Sequence, residues 1–295
     1  MSHSLLDLIG STPLVESRVL NPNPKVKLYF KLEGHNPGGS VKDRAAYNMI
    51  RSGLDRGDFD TTSQLIEATS GNTGIALAMI AGIYGLNIEL VMPENATKER
   101  IQTMRAYGAK VTLTPADKGI EGARDYAEAK VENEGFIMMN QFANNDNWKA
   151  HYNTTGPEIW RATDGEITHF VSAMGTTGTI MGTSTYLKEQ NSTIQIVGVQ
   201  PTDNSSIPGI RKWPQEYLPK IFDANKVDMT IEVSENEART MAKRLAKEEG
   251  IFSGMSSGGA TTAALRLAET LDSGVIVSIV CDRGDRYLSS GLFEQ

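Results

Sequence analysis

Four short segments carry residue types whose spacing could do chemistry. The first is Gly38-Gly39-Ser40-Val41-Lys42-Asp43-Arg44. Ser40 and Asp43 have the spacing of a capping box, which predicts a helix start with Lys42 in its first turn. The positive end of a helix disfavours a protonated amine, so Lys42 is pushed toward the neutral, nucleophilic form that Schiff-base chemistry needs. Taken alone, the segment reads more readily as a solvated lysine in a helix turn.

The second segment, Thr69-Ser70-Gly71-Asn72-Thr73-Gly74, joins a strand-like run to a helix rich in Ala, Ile and Leu. Hydroxyls and small residues at a helix N-terminus make an anion site. With no charged side chain in it, this one suits a carboxylate, although ordinary N-capping by Ser70 or Thr73 would look the same. The third, Gly175-Thr176-Thr177-Gly178-Thr179, has the physics of a phosphate cradle. It lacks the G-K-[ST] of a P-loop, and the strand after it ends at Gln200 rather than at the acidic residue a dinucleotide site requires, so it suits a single phosphate. The fourth is Cys281-Asp282-Arg283-Gly284-Asp285-Arg286-Tyr287, behind the most apolar strand run of the chain. Polar groups at the carboxyl end of a parallel strand face the ligand crevice; a lone cysteine can also be a buried, inert core residue. Gly254-Met255-Ser256-Ser257-Gly258 matches the hydrolase elbow G-x-S-x-G, but that chemistry needs a histidine after the serine and the last histidine is His169. The segment reads instead as a turn into a helix, lining the same crevice.

The elements that must position these loops alternate. Strand patterns cover 28–32, 65–68, 88–92, 110–114, 169–172, 194–199 and 275–280. Helical patterns cover 42–56, 72–84, 97–107, 119–134, 155–162, 178–189, 235–249 and 258–271. Strand runs that are apolar at nearly every position, such as 275–280, are expected of parallel strands covered on both faces. The order predicts an α/β protein with parallel sheets and right-handed crossovers. The polar stretch 140–153, with its five asparagines, reads as the seam between two domains. The loop 201–219, with four prolines, is too long to be a simple connector.

Composition bounds the rest. The chain has 295 residues, 39% hydrophobic and 22% charged, which suits a globular protein and not a disordered one. Its net charge is −7 and no run of four Lys/Arg occurs, so nothing points to nucleic acid. One cysteine cannot form an internal disulfide, and the four scattered histidines show no metal-ligand spacing. No basic-then-apolar leader or membrane-length apolar stretch is visible, so the expected compartment is the cytoplasm, with no membrane partner.

Together these segments resemble the fold-type II pyridoxal-phosphate (PLP) enzymes, and within them the cysteine synthase family, most of all its B type. The likeness runs from Ile9-Gly10-Ser11-Thr12-Pro13-Leu14 through GGSVKDRAA, IEATSGNTGIALA, MRAYGA, TTGPEIW, MGTTGTI, SSIPGIRKWP and GIFSGMSSGGA to CDRGDRYLSSGLF. It implies two three-layer α/β/α domains with largely parallel twisted sheets and PLP in the cleft between them. The expected division is 1–150 and 151–295, with residues about 10–34 free to pair with the other domain. By the same resemblance Lys42 carries the cofactor and Asn72 bonds its ring oxygen. Gly175, Thr176, Thr177, Gly178 and Thr179 hold its phosphate. Thr69, Ser70, Gly71, Thr73 and Gln141 grip the substrate carboxylate, and Cys281 faces the pyridine nitrogen. The implied reaction turns O-acetyl-L-serine and sulfide, or thiosulfate, into cysteine or S-sulfocysteine by way of an aminoacrylate, in a homodimer. A cystathionine β-synthase, a serine dehydratase, an O-phosphoserine-using synthase and a PLP protein that serves to bind a partner remain alternatives. The chain departs from the family at Lys212, where a second arginine is usual, and at Ser253, where a cysteine is usual. Arg211 and Lys212 put paired cations in the long loop leaving a strand's carboxyl edge, which predicts that Arg211 stands at the mouth of the site and admits an anionic sulfur donor.

Overall fold

The computed structural model describes residues 4–69 and 71–294. Two sheets organise them. Strands β1 (Leu14–Glu16), β2 (Val26–Leu32), β7 (His169–Ala173), β8 (Gln195–Pro201), β9 (Met229–Val233) and β10 (Gly274–Val280) form the larger, in the order β1-β2-β10-β7-β8-β9. Strands β3 (Gln64–Ala68), β4 (Asn87–Pro93), β5 (Lys110–Thr114) and β6 (Ile137–Met138) form the smaller, in the order β5-β4-β3-β6. Only β1, antiparallel to β2, breaks the parallel arrangement among the described strands. Residues 14–32 thus join the sheet built mainly from the second half of the chain, by way of β2 beside β10.

The helices are α1 (Lys42–Arg56), α2 (Asn72–Tyr84), α3 (Lys98–Ala106), α4 (Gly119–Glu134), α5 (Asn145–Asn153), α6 (Thr155–Ala162), α7 (Gly178–Gln190), α8 (Glu235–Arg244) and α9 (Met255–Thr270). They cover both faces of each sheet, which is why β10 is apolar throughout. Its Ile276 and Val280 pack with α8 and α9, while the alternate Val277 and Ile279 pack with Ile159 of α6 and Ile180 of α7. In the smaller sheet, Leu65 and Leu90 face α1 and α2, and Ile66 and Val91 face Ala123 and Ala127 of α4.

Where the sequence reading departs from the structure, burial of polar groups is the usual reason. The stretch 140–153, read as a seam between domains and not as a helix, contains α5. The buried face of that helix is Asp146, Asn147, Ala150 and His151, so it shows no apolar stripe. It is capped by the Asn144 side chain, which accepts from the Asp146 N–H (3.0 Å). Strands β1, β6 and β9 are short or half exposed and went unread. Helix α9 starts at Met255 rather than 258, and α8 ends in a π turn over Leu245–Glu249. The Ser40–Asp43 capping box is not made. Val41 is the N-cap, the Lys42 N–H donates to Ser40 Oγ (3.2 Å), and the Asp43 carboxylate turns back onto the Gly38 N–H.

One buried ion cluster ties α1 to the larger sheet. Arg44 donates to both oxygens of Glu33, in the turn after β2 (2.7 and 2.8 Å), and to both of Glu158 on α6 (2.7 Å each). Lys31 of β2 adds a 2.6 Å bond to Glu158. Burial alone would raise the Glu158 carboxyl, but the hydrogen bonds and charge of Arg44, with Lys31, hold it down to about 2. Its folded pKa lies below the ordinary 4.5, so its stabilisation is complete above that value and drains as pH falls toward about 2. Arg44→Met should therefore destabilise the fold by about 3–5 kcal/mol at neutral pH, because it strands two buried carboxylates. Denaturant midpoints measured across the acid range should also show a shallower loss for Arg44→Met than for the parent protein.

Candidate active site

A cleft of about 650 Å³ opens where the loops at the carboxyl ends of the strands meet. Lys42 is half-buried in its wall. Burial lowers the pKa of its ammonium, against the opposing pull of Cys281 and Asp282. The direction agrees with the sequence reading, but desolvation and not the helix end is the leading cause. Behind Lys42, the Val41 N–H donates to the Cys281 carbonyl (2.8 Å). Gly39, at φ +82, is pressed so close to Arg286 that an added Cβ would lie 2.3 Å from its guanidinium.

Thr69, Gly71, Asn72 and Thr73 line the cleft between β3 and α2, and Gln141 reaches them from the turn after β6. Ser70 lies outside the described residues. The Thr73 hydroxyl donates to Gln141 Oε1 (2.7 Å). Asn72 is held at both ends, its Nδ2 donating to Asp282 Oδ2 (2.7 Å) and its Oδ1 accepting from Arg286 (2.6 Å). That leaves one amide N–H of Asn72 free to meet a ligand oxygen.

The third loop is the N-terminus of α7. Gly175, Thr176 and Thr179 line the cleft. Thr177 is the N-cap in a left-handed conformation (φ 70), and its Oγ1 is buried with no protein partner. A buried, unpartnered hydroxyl among the free N–H groups of a helix start fits a bound phosphate. Gly178 has no room for a Cβ, which would sit 2.0 Å from Asn147 Oδ1. Asn147 and His151 of α5, neither legible as site residues in sequence, buttress the loop from behind. Asn147 donates to Thr176 Oγ1 (3.2 Å), and His151 Nε2 meets Thr179 Oγ1 (3.3 Å). Burial, with Arg44 nearby, lowers His151 to about 3, so it sits neutral there.

The fourth loop separates Cys281 from Asp282. Asp282 is buried and accepts from Tyr287 Oη, Asn72 Nδ2 and the Gly254 N–H. Cys281 lines the cleft, and burial followed by the Asp282 charge pushes its thiol up to about 11. Ser256 of α9 also lines the cleft, and its hydroxyl favours the charged form of the thiol. The sequence reading put 254–258 at the crevice without singling Ser256 out. At the mouth, Arg211 lines the cleft with its guanidinium 5.6 Å from the Trp213 ring centre. Lys212 is not its partner in binding. Asp203 (2.8 Å) and Glu232 (2.7 Å) hold its ammonium, so the expected pair of free cations reduces to Arg211.

A lysine of lowered basicity, a phosphate cradle and a carboxylate-sized grip, set between two parallel sheets, define a PLP-dependent enzyme. The chain belongs to the pyridoxal-phosphate-dependent enzyme family, whose pattern matches residues 5–282. It is 57% identical over 292 residues to cysteine synthase B of Pseudomonas aeruginosa, covering 99% of this chain and 97% of that one. It is 52% identical to cysteine synthase B of Escherichia coli, covering 98% and 96%. Its fold matches the crystal structure of a cysteine synthase from Entamoeba histolytica with a TM-score of 0.95, at 36% identity and with 100% and 91% of the chains covered. Thr177→Glu or Thr179→Glu should expel PLP by charge repulsion in the α7 cradle. The cofactor absorbance per protein, measured after gel filtration, should fall to a small fraction of the parent's, while far-UV circular dichroism stays the same.

Proposed function

We propose that the protein forms L-cysteine from O-acetyl-L-serine and sulfide, and S-sulfocysteine when thiosulfate is the donor. The observation that carries this is the meeting of Lys42, the α7 cradle and the Thr73–Gln141 pair in one cleft, in a chain so close to cysteine synthases of the B type. Homodimer assembly and a cytoplasmic setting belong to the same proposal. Among the described residues no helix is long and apolar enough to cross a membrane.

When bound, PLP supplies the electron sink that acidifies the substrate's α-proton and lets the β-substituent depart. The chain's residues do the rest. Gly175, Thr176, Thr177, Gly178 and Thr179 hold the phosphate, and the free N–H of Asn72 orients the ring oxygen. Thr69, Ser70, Gly71, Thr73 and Gln141 take the substrate carboxylate with hydroxyls, an amide and helix-start N–H groups. Lys42 would be the residue that holds the cofactor in the absence of substrate. The Lys42 Nζ, whose basicity burial lowers, then accepts the α-proton and later returns it to the same carbon. Acetate leaves, and the sulfur nucleophile entering past Arg211 bonds the β-carbon. Cys281 and Ser256 present neutral partners to the pyridine nitrogen.

Lys42→Ala should abolish turnover of O-acetylserine with either sulfur donor and remove the lysine-bound cofactor absorbance. Its thermal midpoint should stay near the parent's, because a first-turn lysine contributes little to stability. Arg211→Ala should lower kcat/KM for thiosulfate about ten- to a hundredfold more than for sulfide, the worth of one charge-assisted contact. Equal losses with both donors would deny Arg211 a selective role. Homocysteine offered in place of sulfide should be the poorer nucleophile.

A further inference from the structure

Glu67 is a charged-type residue in an unusual place. It is the next-to-last residue of β3, two positions before Thr69, and it is 3% exposed. No cation bonds it among the described residues. Its oxygens instead take two successive backbone donors, the N–H of Asn140 (2.8 Å) and the N–H of Gln141 (3.4 Å). Asn140 is in the left-handed region (φ 51), a conformation uncommon for non-glycine residues and best tolerated by asparagine. The Asn140 carbonyl is fixed from the other side by the N–H groups of Ala143 (3.0 Å) and Asn144 (2.9 Å), at the entry to α5. Burial pushes the Glu67 carboxyl up to about 7, against the pull of those backbone donors.

From this pinned peptide two arms extend. The Gln141 side chain accepts the Thr73 hydroxyl (2.7 Å) in the carboxylate grip. The Gln141 carbonyl accepts Asn147 Nδ2 (2.7 Å), and the same nitrogen donates to Thr176 of the phosphate cradle (3.2 Å). Gln141, Thr73, Asn147 and Thr176 are all buried, so each bond is made away from competing water. We propose that Glu67 is a positioning residue for the reaction. It sets the Asn140–Gln141 peptide, and through it the spacing between the substrate-carboxylate grip and the phosphate cradle. The proposal rests on the reading of Thr73 and Gln141 as that grip.

The test is a double-mutant cycle on the PLP-loaded enzyme with Glu67→Gln, Gln141→Ala and the pair, read as kcat/KM for O-acetylserine at saturating sulfide. The glutamine amide keeps one acceptor oxygen but sets its NH2 against the second backbone donor. Glu67→Gln should lower kcat/KM about tenfold, mostly through KM, with cofactor content and the KM for sulfide unchanged. The double variant should be no worse than Gln141→Ala alone, because the residues act in series. Additive losses, or an unchanged KM in Glu67→Gln, would overturn the proposal. A loss in Gln141→Ala without one in Glu67→Gln leaves the carboxylate grip standing and removes only the positioning role. No loss in either variant removes both. If Glu67→Gln fails to retain PLP, Glu67→Asp, which keeps the charge but retracts it by one methylene, should show the raised KM at full cofactor content. An unchanged KM there counts equally against the proposal.

Discussion

The position of Lys42 depends on Arg44. The two residues share the first turn of α1, so whatever fixes the Arg44 guanidinium fixes the helix start and the amine beside it. Helix α1 belongs by its apolar side to the smaller sheet, through Ala46, Met49 and Ile50. Its Arg44 reaches the other way, to Glu33 after β2 and Glu158 on α6, both part of the larger sheet's body. Burying so much charge is costly unless every hydrogen-bonding position is used. Here Nε and both terminal nitrogens of the guanidinium are engaged, with the Thr12 hydroxyl completing the set. A lysine could not make this fork. The cluster therefore trades stability that an apolar packing could have supplied for a defined relation between the two halves of the cleft.

Around that anchor the cleft carries Lys42 as the one charged side chain from the four loops among the described residues, with Arg100, Glu121, Arg124, Asp203 and Arg211 elsewhere in its lining. Its anion sites are built from N–H groups, hydroxyls and amides at the starts of α2 and α7. Of the two lysines in its lining, Lys212 is held by two carboxylates on the surface side. His151 is neutral by burial, and the Cys281 thiol is neutral for the same reason. Lys42 is thus the lysine of the lining whose basicity burial lowers.

Much of this was legible in the sequence because loop chemistry and strand burial are local. The apolar run 275–280 reads as a strand covered on both faces, and the alternation of elements predicts the parallel sheets. The four loops name about a third of the cleft lining by residue type alone, and the long loop 201–219 supplies as much again. What escaped reading depends on contacts distant in sequence. Helix α5 hides because its buried face is Asp146, Asn147 and His151, polar residues whose side chains are satisfied by Arg56 of α1, by the α7 loop and by Thr155 of α6. Gly182 gives no local sign of its use, yet a Cβ there would lie 2.0 Å from the Trp148 carbonyl, so α7 and α5 approach only because it is glycine. The Ser40–Asp43 spacing misled for a local reason, because the Asp43 carboxylate turns back onto the Gly38 N–H, within the same loop. Lys212 misled because its salt-bridge partners come from 203 and 232, residues that no local pattern connects to it.

The same distinction between spacing and partners separates Cys281 from Asp282. On residue type, the carboxylate would be the stronger acceptor for a pyridinium. In the fold it is already saturated by a phenol, an amide and a backbone N–H, and the first two of these tie the fourth loop to itself and to α2. Turning it toward the cleft would strand those three donors in a buried site, a cost of several hydrogen bonds. Cys281 and Ser256 remain, both neutral at working pH. In the proposed site a pyridine nitrogen facing these groups would not be held protonated, and the cofactor would supply a milder electron sink. A milder sink favours prompt departure of the β-substituent over a long-lived carbanion, the bias a β-replacement needs.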